Sequence, residues 1–177
     1  MACPTQHHVS GDIALAIKQF YKTQISDLVP ERATFLKNAL LPMVTEIAKF
    51  WASRSIMRSS SSNTQDDKSS SSKPIFDING VTSPDEYHVN VNNSIYVNAL
   101  AQISIEFGIK LASELNPEFK IPVEWNNVAQ YISIPYDAQN NVHPQFDGYK
   151  GDEVKQADVV LLGYPLQWRG LKQHVGS

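Results

Sequence analysis

The stretch Ser94–Leu115, SIYVNALAQISIEFGIKLASEL, decides the fold class, because its apolar residues recur every three or four positions. That period is typical of an α-helix whose apolar stripe faces a core. We expect the helix to begin near residues 93–94 and to end before Asn116 and Pro117, since a proline disfavours helical backbone just ahead of it. The expected buried stripe consists of Tyr96, Leu100, Ile103, Phe107 and Leu111.

Helical periods also dominate the rest of the chain. Helices are predicted over about residues 11–22, from 30 or 31 to 51, over 123–131 and over 152–163. Pro42 lies inside the second pattern and removes a backbone donor, so a kink or break is expected near Leu41. The first helix is expected to bury Ile13, Ile17, Phe20 and Tyr21. With about five helices and no alternating strand ladder, the predicted class is all-α.

Three segments interrupt or follow the helical patterns. Residues 55–73 contain two serine runs and read as a flexible, disordered surface insert inside a domain. Residues 74–81 are β-prone and are predicted to form a strand or an extended entry to a loop. Residues 167–177 show no periodicity and form a separate tail.

Composition narrows the function classes. The chain has 177 residues, 42% of them hydrophobic, which excludes a wholly disordered protein, and its net charge of −3 offers no basic field for nucleic acid. No stretch approaches the ~20 apolar residues of a membrane-spanning helix, so a membrane partner is not expected. The single cysteine, Cys3, excludes an internal disulfide, and no Cys/His spacing predicts a metal site. The N-terminus lacks the pattern of a secretory signal, which favours a cytoplasmic location.

Two polar clusters carry the candidate chemistry. In residues 83–94, Asp85 and Glu86 lie among aromatic and amide side chains, where partial desolvation would raise a carboxyl pKa and permit general acid catalysis. Neighbouring side chains diverge, so one carboxylate would act and the other would orient it. In residues 147–158, Lys155 and Gln156 are expected in the first turn of a helix, where both could donate hydrogen bonds to sugar hydroxyls. From composition alone, solvated loop charges and a structural role for His88 are the more common explanation of these residues.

Several motifs keep a common order along the chain. They are Gln6–Asp12, Phe50–Arg54, Gly80–Asn98, Ile134–Asp137, His143–Tyr149 and Val154–Pro165. In these motifs the sequence resembles glycoside hydrolase family 65, over about residues 6–54 and 74–166. The resemblance implies a partial (α/α)6 barrel catalytic domain over residues 6–166, with the active site at one end of the helices and no cofactor.

The resemblance also implies residue roles. Glu86 matches the general acid that protonates the leaving glycosidic oxygen, and Lys155 and Gln156 match a pair that contacts the substrate sugar. Asp85, Tyr87 and His88 would set the position and pKa of Glu86. Hydrolytic members invert the anomeric carbon, which needs a second carboxyl as base, ~6.5–9.5 Å from the acid. The implied substrates are α-glucosides, with the glucosylgalactosyl-hydroxylysine of collagen as a candidate.

The chain departs from the family in ways that bear on activity. The insert 55–73 replaces a compact connection, and the tail 167–177 does not continue the family pattern. Twelve helices with their loops would need roughly 200 residues, so a fragment is expected. The family's catalytic base lies beyond the resemblance, so the 177-residue chain is expected to be inactive alone. The alternatives are a truncated, inactive remnant that acts at most as a binding piece, and a disaccharide phosphorylase relative that uses phosphate in place of water.

Overall fold

The structure is a computed structural model that describes residues 5–24, 30–59 and 73–173. Within these residues the chain is mainly helical and has one small antiparallel pair of strands. The α-helices are α1 (His8–Gln24), α2 (Pro30–Phe35), α3 (Leu41–Arg54), α4 (Ile95–Leu115), α5 (Val123–Tyr131) and α6 (Asp158–Leu161). The strands are β1 (Ile56–Met57) and β2 (Phe76–Asp77). No helix in the described ranges is long and apolar enough to cross a membrane.

Helix α4 is the central element, and it packs against α1, α3, α5 and α6. It begins and ends as predicted, and the Ser94 hydroxyl caps it by accepting the Val97 amide at 3.4 Å. The predicted stripe is buried, but so are the remaining faces over most of the helix, which is the pattern of a helix enclosed by others. The buried residues outside the predicted stripe include Ile95, Val97, Ala99, Ala101, Ile105 and Ala112.

The face of α4 toward α3 and α5 forms the largest buried cluster. Trp51 of α3 is fully buried there, and Trp125 and Val128 of α5 close the other side as predicted. Helices α3 and α4 come close because Gly108 has no side chain. A Cβ at Gly108 would lie 2.7 Å from the Cβ of Ala48, closer than such atoms can approach.

The second helical pattern is irregular just ahead of Pro42, near the predicted position, but the helix does not break there. A single π-helical turn, Leu36–Leu40, separates α2 from α3, and Pro42 occupies the first turn of α3. Proline is tolerated in a first turn because its missing N–H needs no partner there. The widened turn joins the two helical segments without ending the chain's helical course.

The predicted burial of α1 is partly wrong. The helix begins at His8, and it exposes 45% of Ile13 and 43% of Phe20. The buried face contains Gly11 instead, where an added Cβ would lie 2.5 Å from Leu100 of α4. A close helix–helix approach through a glycine therefore overrides the apolar stripe that the sequence suggests. The buried apolar residues of α1 are Ala14, Leu15 and Ile17.

The final predicted helix is also wrong at its start. Only residues 158–161 are helical, and residues 150–157 form an irregular loop. Gly151 adopts a φ of +93°, and Ala157 has a non-helical ψ of 89°, so a helix cannot run through them. Asp152 therefore does not cap a helix, and Lys155 and Gln156 lie on a loop rather than in a first helical turn.

The ends of the serine-rich insert are held together by the two strands. Ile56 pairs with Asp77 and Met57 with Phe76, which makes part of the predicted 74–81 segment a strand. The middle of the insert, residues 60–72, lies outside the described residues, as do residues 174–177 of the tail. The described part of the tail packs against α4, because the Trp168 indole N–H donates to Gln102 Oε1 at 2.7 Å.

Candidate active site

Two loops meet to form the candidate site. We call residues 82–93 the acid loop and residues 150–157 the lysine loop. The acid loop is closed at its base by a pair of backbone hydrogen bonds between Val81 and Val91, both at 2.9 Å. It leads directly into α4, while the lysine loop leads into α6. Because α4 and α6 pack together, the two loops are brought side by side.

Asp85 ties the two loops together. It is 1% exposed, and its Oδ1 accepts the backbone amides of Lys155 at 2.8 Å and Tyr87 at 3.3 Å. Its Oδ2 is hydrogen-bonded to Nδ1 of His88 at 2.7 Å. Burial works to raise the pKa of Asp85, but the hydrogen bonds from His88 and from the backbone amides of Lys155, Tyr87 and Gln156 outweigh it and lower the pKa. The carboxylate is therefore held in its charged form.

Glu86 points the other way and forms an ion pair with Lys155. The two side chains are about half exposed, at 49% and 53%, and Gln6 Nε2 donates to Glu86 Oε1 at 3.3 Å. The hydrogen bond and the positive charge of Lys155 lower the pKa of Glu86, and the same contact raises the pKa of Lys155. The expectation of a desolvated Glu86 with a raised pKa is thus wrong for this arrangement, because the side chain faces solvent beside a cation.

The predicted supporting residues divide into two kinds. Tyr87 is 61% exposed, and it meets Asp85 through its backbone amide. The His88 ring packs against Phe146 and Tyr149, with ring centroids 5.1 Å and 6.2 Å away, and its hydrogen bond goes to Asp85. His88 therefore fixes Asp85 rather than touching Glu86, and the roles assigned to these residues stay predictions.

The lysine loop is held by a buried glutamine. Gln145 is 4% exposed, and its Nε2 donates to the Gln156 carbonyl at 3.1 Å. Its Oε1 accepts the amide of Val159 in α6 at 3.3 Å, and its own carbonyl accepts the Ile95 amide at the start of α4. This bracing leaves the side chains of Lys155 and Gln156 exposed, where a ligand could reach them.

Sequence reasoning missed three residues that build the site: Gln6, Gln145 and Asp158. Gln6 lies inside a quoted motif, but nothing local shows that it reaches a loop 80 residues away. Asp158 is equally hard to find, because aspartates are seldom fully buried and the nearby Val160 is itself 70% exposed. Gln145 has no local signal either, since its contacts are all made across the fold.

A second polar cluster lies beneath the two loops. His8 and Asp12, one turn apart on α1, are hydrogen-bonded at 2.8 Å between Nδ1 and Oδ2. The hydroxyl of Tyr96 donates to Asp12 Oδ1 at 2.6 Å, and burial followed by this contact raises the pKa of Tyr96. Tyr96 belongs to the first turn of α4, so the cluster fixes α1 against the end of α4 that carries the acid loop.

Comparison with known proteins gives the class of this site. The family model "Glycosyl hydrolase family 65 central catalytic domain" matches residues 1–154, which include the whole acid loop and end one residue before Lys155. The chain belongs to glycosyl hydrolase family 65.

Individual relatives extend the likeness into the lysine loop. The protein-glucosylgalactosylhydroxylysine glucosidase of Mus musculus is 42% identical over 161 residues, which are 90% of this chain and 20% of the mouse protein. The Dictyostelium discoideum protein of the same name is 37% identical over 179 residues, covering 97% of this chain and 23% of that protein. A kojibiose hydrolase of Flavobacterium johnsoniae is 33% identical over 162 residues, or 92% of this chain and 21% of the relative. The chain therefore spans about a fifth of the length of these relatives.

A solved structure supports the fold. A protein described as a putative kojibiose phosphorylase from the human microbiome superposes with a TM-score of 0.61 at 21% identity. The superposition covers 83% of this chain and 20% of that one. The described helices are thus part of an (α/α)6 barrel, and the predicted all-α class is confirmed.

Proposed function

We propose that this chain carries the acid-bearing segment of an inverting α-glucoside hydrolase, with Glu86 as the general acid. The observation that carries the proposal is the meeting of Glu86 with Lys155, two side chains 69 residues apart that have no local reason to pair. Both belong to loops braced by buried hydrogen bonds, so their meeting is built into the fold. Membership of the glycosidase family supports the same assignment.

In the proposed reaction, Glu86 gives its proton to the glycosidic oxygen as the bond to the anomeric carbon breaks. The ion pair with Lys155 favours the charged carboxylate, so a bound sugar must change this balance. A sugar that takes the hydrogen bonds of Lys155 and excludes water from Glu86 would raise the pKa of the acid and so protonate it. Gln156 would hold a further hydroxyl. The water-activating base would come from a segment beyond this chain, ~6.5–9.5 Å from Glu86.

We further propose glucosylgalactosyl-hydroxylysine as the substrate, with glucose as the product. The names and identities of the mouse and Dictyostelium relatives support this choice over kojibiose. The chain by itself should show no glucose release, because attack by water without a positioned base loses orders of magnitude in rate. Steady turnover of glucosylgalactosyl-hydroxylysine by the purified 177-residue chain would contradict the proposal that the base lies elsewhere.

A chimera tests the acid directly. Residues 6–166 of this chain would replace the matching segment of the mouse glucosidase, and glucose release would be followed with the disaccharide-linked amino acid. The chimera should turn over, and Glu86→Gln should reduce kcat by at least a hundredfold while circular dichroism and substrate binding stay the same. Glu118→Gln, at an exposed carboxylate on the loop before α5, is the matched control and should retain full activity. If the Glu86→Gln chimera keeps most of its rate, Glu86 is not the acid.

A disaccharide phosphorylase is the second candidate. Kojibiose phosphorylase of Caldanaerobacter subterraneus is 28% identical over 201 aligned positions, which favours testing it. The same chimera would be assayed with kojibiose in the presence and absence of inorganic phosphate. Release of glucose 1-phosphate only when phosphate is added would support the phosphorylase, whereas phosphate-independent release of glucose as the β-anomer would support the inverting hydrolase.

A further inference from the structure

Asp158 is a fully buried carboxylate at the junction of the two loops. It is the first residue of α6, and its Oδ1 accepts the backbone amide of Asp85 at 3.2 Å. The Ser83 hydroxyl also lies within hydrogen-bonding reach of this carboxyl. Its Oδ2 has no partner among the described residues although it is shielded from solvent. A charged oxygen left in that position would be costly, because burying an unpaired charge is far less favourable than burying a neutral acid.

Asp85 and Asp158 form a reciprocal joint between the loops. The backbone amide of Asp85, in the acid loop, donates to Asp158 at the end of the lysine loop. The carboxylate of Asp85 in turn accepts the backbone amide of Lys155. Glu86 follows Asp85 directly and Lys155 precedes Asp158 by three residues, so this joint connects the backbone segments that carry the ion pair.

Burial and the nearby charge of Asp85 shift Asp158 toward its neutral form. Burial is the largest influence and raises the pKa of Asp158 to about 6, and the negative charge of Asp85 acts in the same direction. The hydrogen bonds from Ser83 and the Asp85 amide act in the opposite direction, as does the charge of His8 on α1. On α4, Tyr96 lies near Asp158. Burial and the contact with Asp12 raise the pKa of Tyr96, and the charge of Asp158 adds to this. For two neighbouring buried carboxyls, carrying one negative charge between them costs less free energy than carrying two.

We propose that Asp158 is a positioning residue that holds Glu86 against Lys155, and that this hold is firmest when its carboxyl is protonated, in mildly acidic solution. Loss of its proton puts a second negative charge beside Asp85 and loosens the joint between the acid loop and the lysine loop. This inference rests on the proposed function only for its consequence in catalysis, since the joint itself is a property of the fold. The arrangement of Glu86 and Lys155 should therefore change with pH around the titration of a residue that touches neither side chain.

The test is a carboxyl titration of the 177-residue chain by NMR, with ¹³C-labelled aspartate and glutamate and ¹⁵N-labelled backbone. Comparison with Asp158→Asn assigns the Asp158 signal. We expect Asp158 to titrate near pH 6, and the Lys155 amide and Glu86 carboxyl signals to shift with the same midpoint. In Asp158→Asn that common step should disappear from both signals. Asp152→Asn, at an exposed carboxylate of the same loop, is the control and should leave the step in place.

Two results would overturn the inference. Asp158 could titrate below pH 5, which would make it a charged structural group. Alternatively, Asp158 could titrate near pH 6 while the Lys155 and Glu86 signals stay unchanged, which would remove its positioning role. The wild-type titration decides between these outcomes even if the variant does not fold. No turnover is required, so a failed glucosidase assay of the chimera and a failed titration are separate results.

Discussion

The substitution Asp158→Asn should stabilise the chain at neutral pH, although it removes a hydrogen-bonding carboxylate from a buried position. Asparagine keeps a carbonyl oxygen to accept the Asp85 amide, and it places an uncharged amide where Oδ2 now has no partner. Like the proton of the neutral acid, that amide meets no partner among the described residues, so this cost is common to both proteins at pH 4. The variant therefore retains the joint between the loops and cannot acquire the charge that burial disfavours.

The magnitude follows from the displaced pKa. A rise from 3.8, the ordinary value of an aspartate, to about 6 in the folded chain corresponds to about 3 kcal/mol at ~1.36 kcal/mol per unit. The folded state holds the Asp158 proton more tightly than the unfolded state does. The stabilisation that this tighter binding gives is fully present below pH 4 and is lost as the pH rises through about 6. The asparagine variant has no such loss. The difference in unfolding free energy should be near zero at pH 4 and should reach about 3 kcal/mol at pH 7.

Urea unfolding followed by tryptophan fluorescence measures this difference at a series of pH values. Other titrating groups are common to both proteins and cancel in the difference. Asp152→Asn, an exposed substitution nearby, should change the free energy of unfolding by no more than about 0.5 kcal/mol throughout. If Asp158→Asn destabilises the chain equally at pH 4 and pH 7, the carboxylate is charged and well paired, and the reasoning is refuted.

Three further predictions concern other parts of the molecule. Lys155→Met should raise the pKa of Glu86, because it removes the hydrogen bond and the positive charge that lower this pKa. A ¹³C carboxyl titration measures the change, and an unchanged pKa would show that the ion pair is absent in solution. Gly108→Ala should destabilise the chain by about 1–3 kcal/mol, because the added methyl group meets Ala48, and this outweighs the higher helix propensity of alanine. Urea unfolding measures the loss, with Ser113→Ala on the same helix as the control. The isolated chain should bind a hydrophobic dye, because Val123 and Val160 are 74% and 70% exposed, and the absence of dye fluorescence would contradict this.

The helices that the sequence predicts well are those whose burial follows a simple period. Helix α4 begins and ends where its pattern and its flanking proline indicate, and the inward residues of α5 are those expected from spacing. Helix α1 shows the limit of this reasoning, since it turns the face with Gly11 toward α4 and leaves Ile13 exposed. Hydrophobic period cannot anticipate this, because the close approach depends on the shape of a helix 80 or more positions away along the chain.

The lysine loop shows why the site was harder to predict than the helices. Its apolar residues have helical spacing, yet Gly151 has a φ of +93° and Ala157 a ψ of 89°, and the Lys155 amide bonds to a carboxylate 70 residues earlier. The first N–H groups of a helix have no partner within it, so no local pattern shows which group accepts the Lys155 amide. The same contact explains the error about Glu86, whose charged partner lies on a segment that no local pattern connects with it.

The neighbouring carboxylates Asp85 and Glu86 make different contacts because their side chains leave the backbone in opposite directions. Asp85 turns inward, is 1% exposed, and forms its hydrogen bonds with backbone amides and His88. Glu86 turns outward and meets Lys155 at the surface. In the proposed reaction, the carboxylate that orients and the carboxyl that reacts are thus neighbouring residues. The described contacts between the acid loop and the lysine loop lie within a chain that spans a fifth of its relatives' length. Because the proposed base lies in another segment, catalysis would depend on the assembly of the barrel around this one.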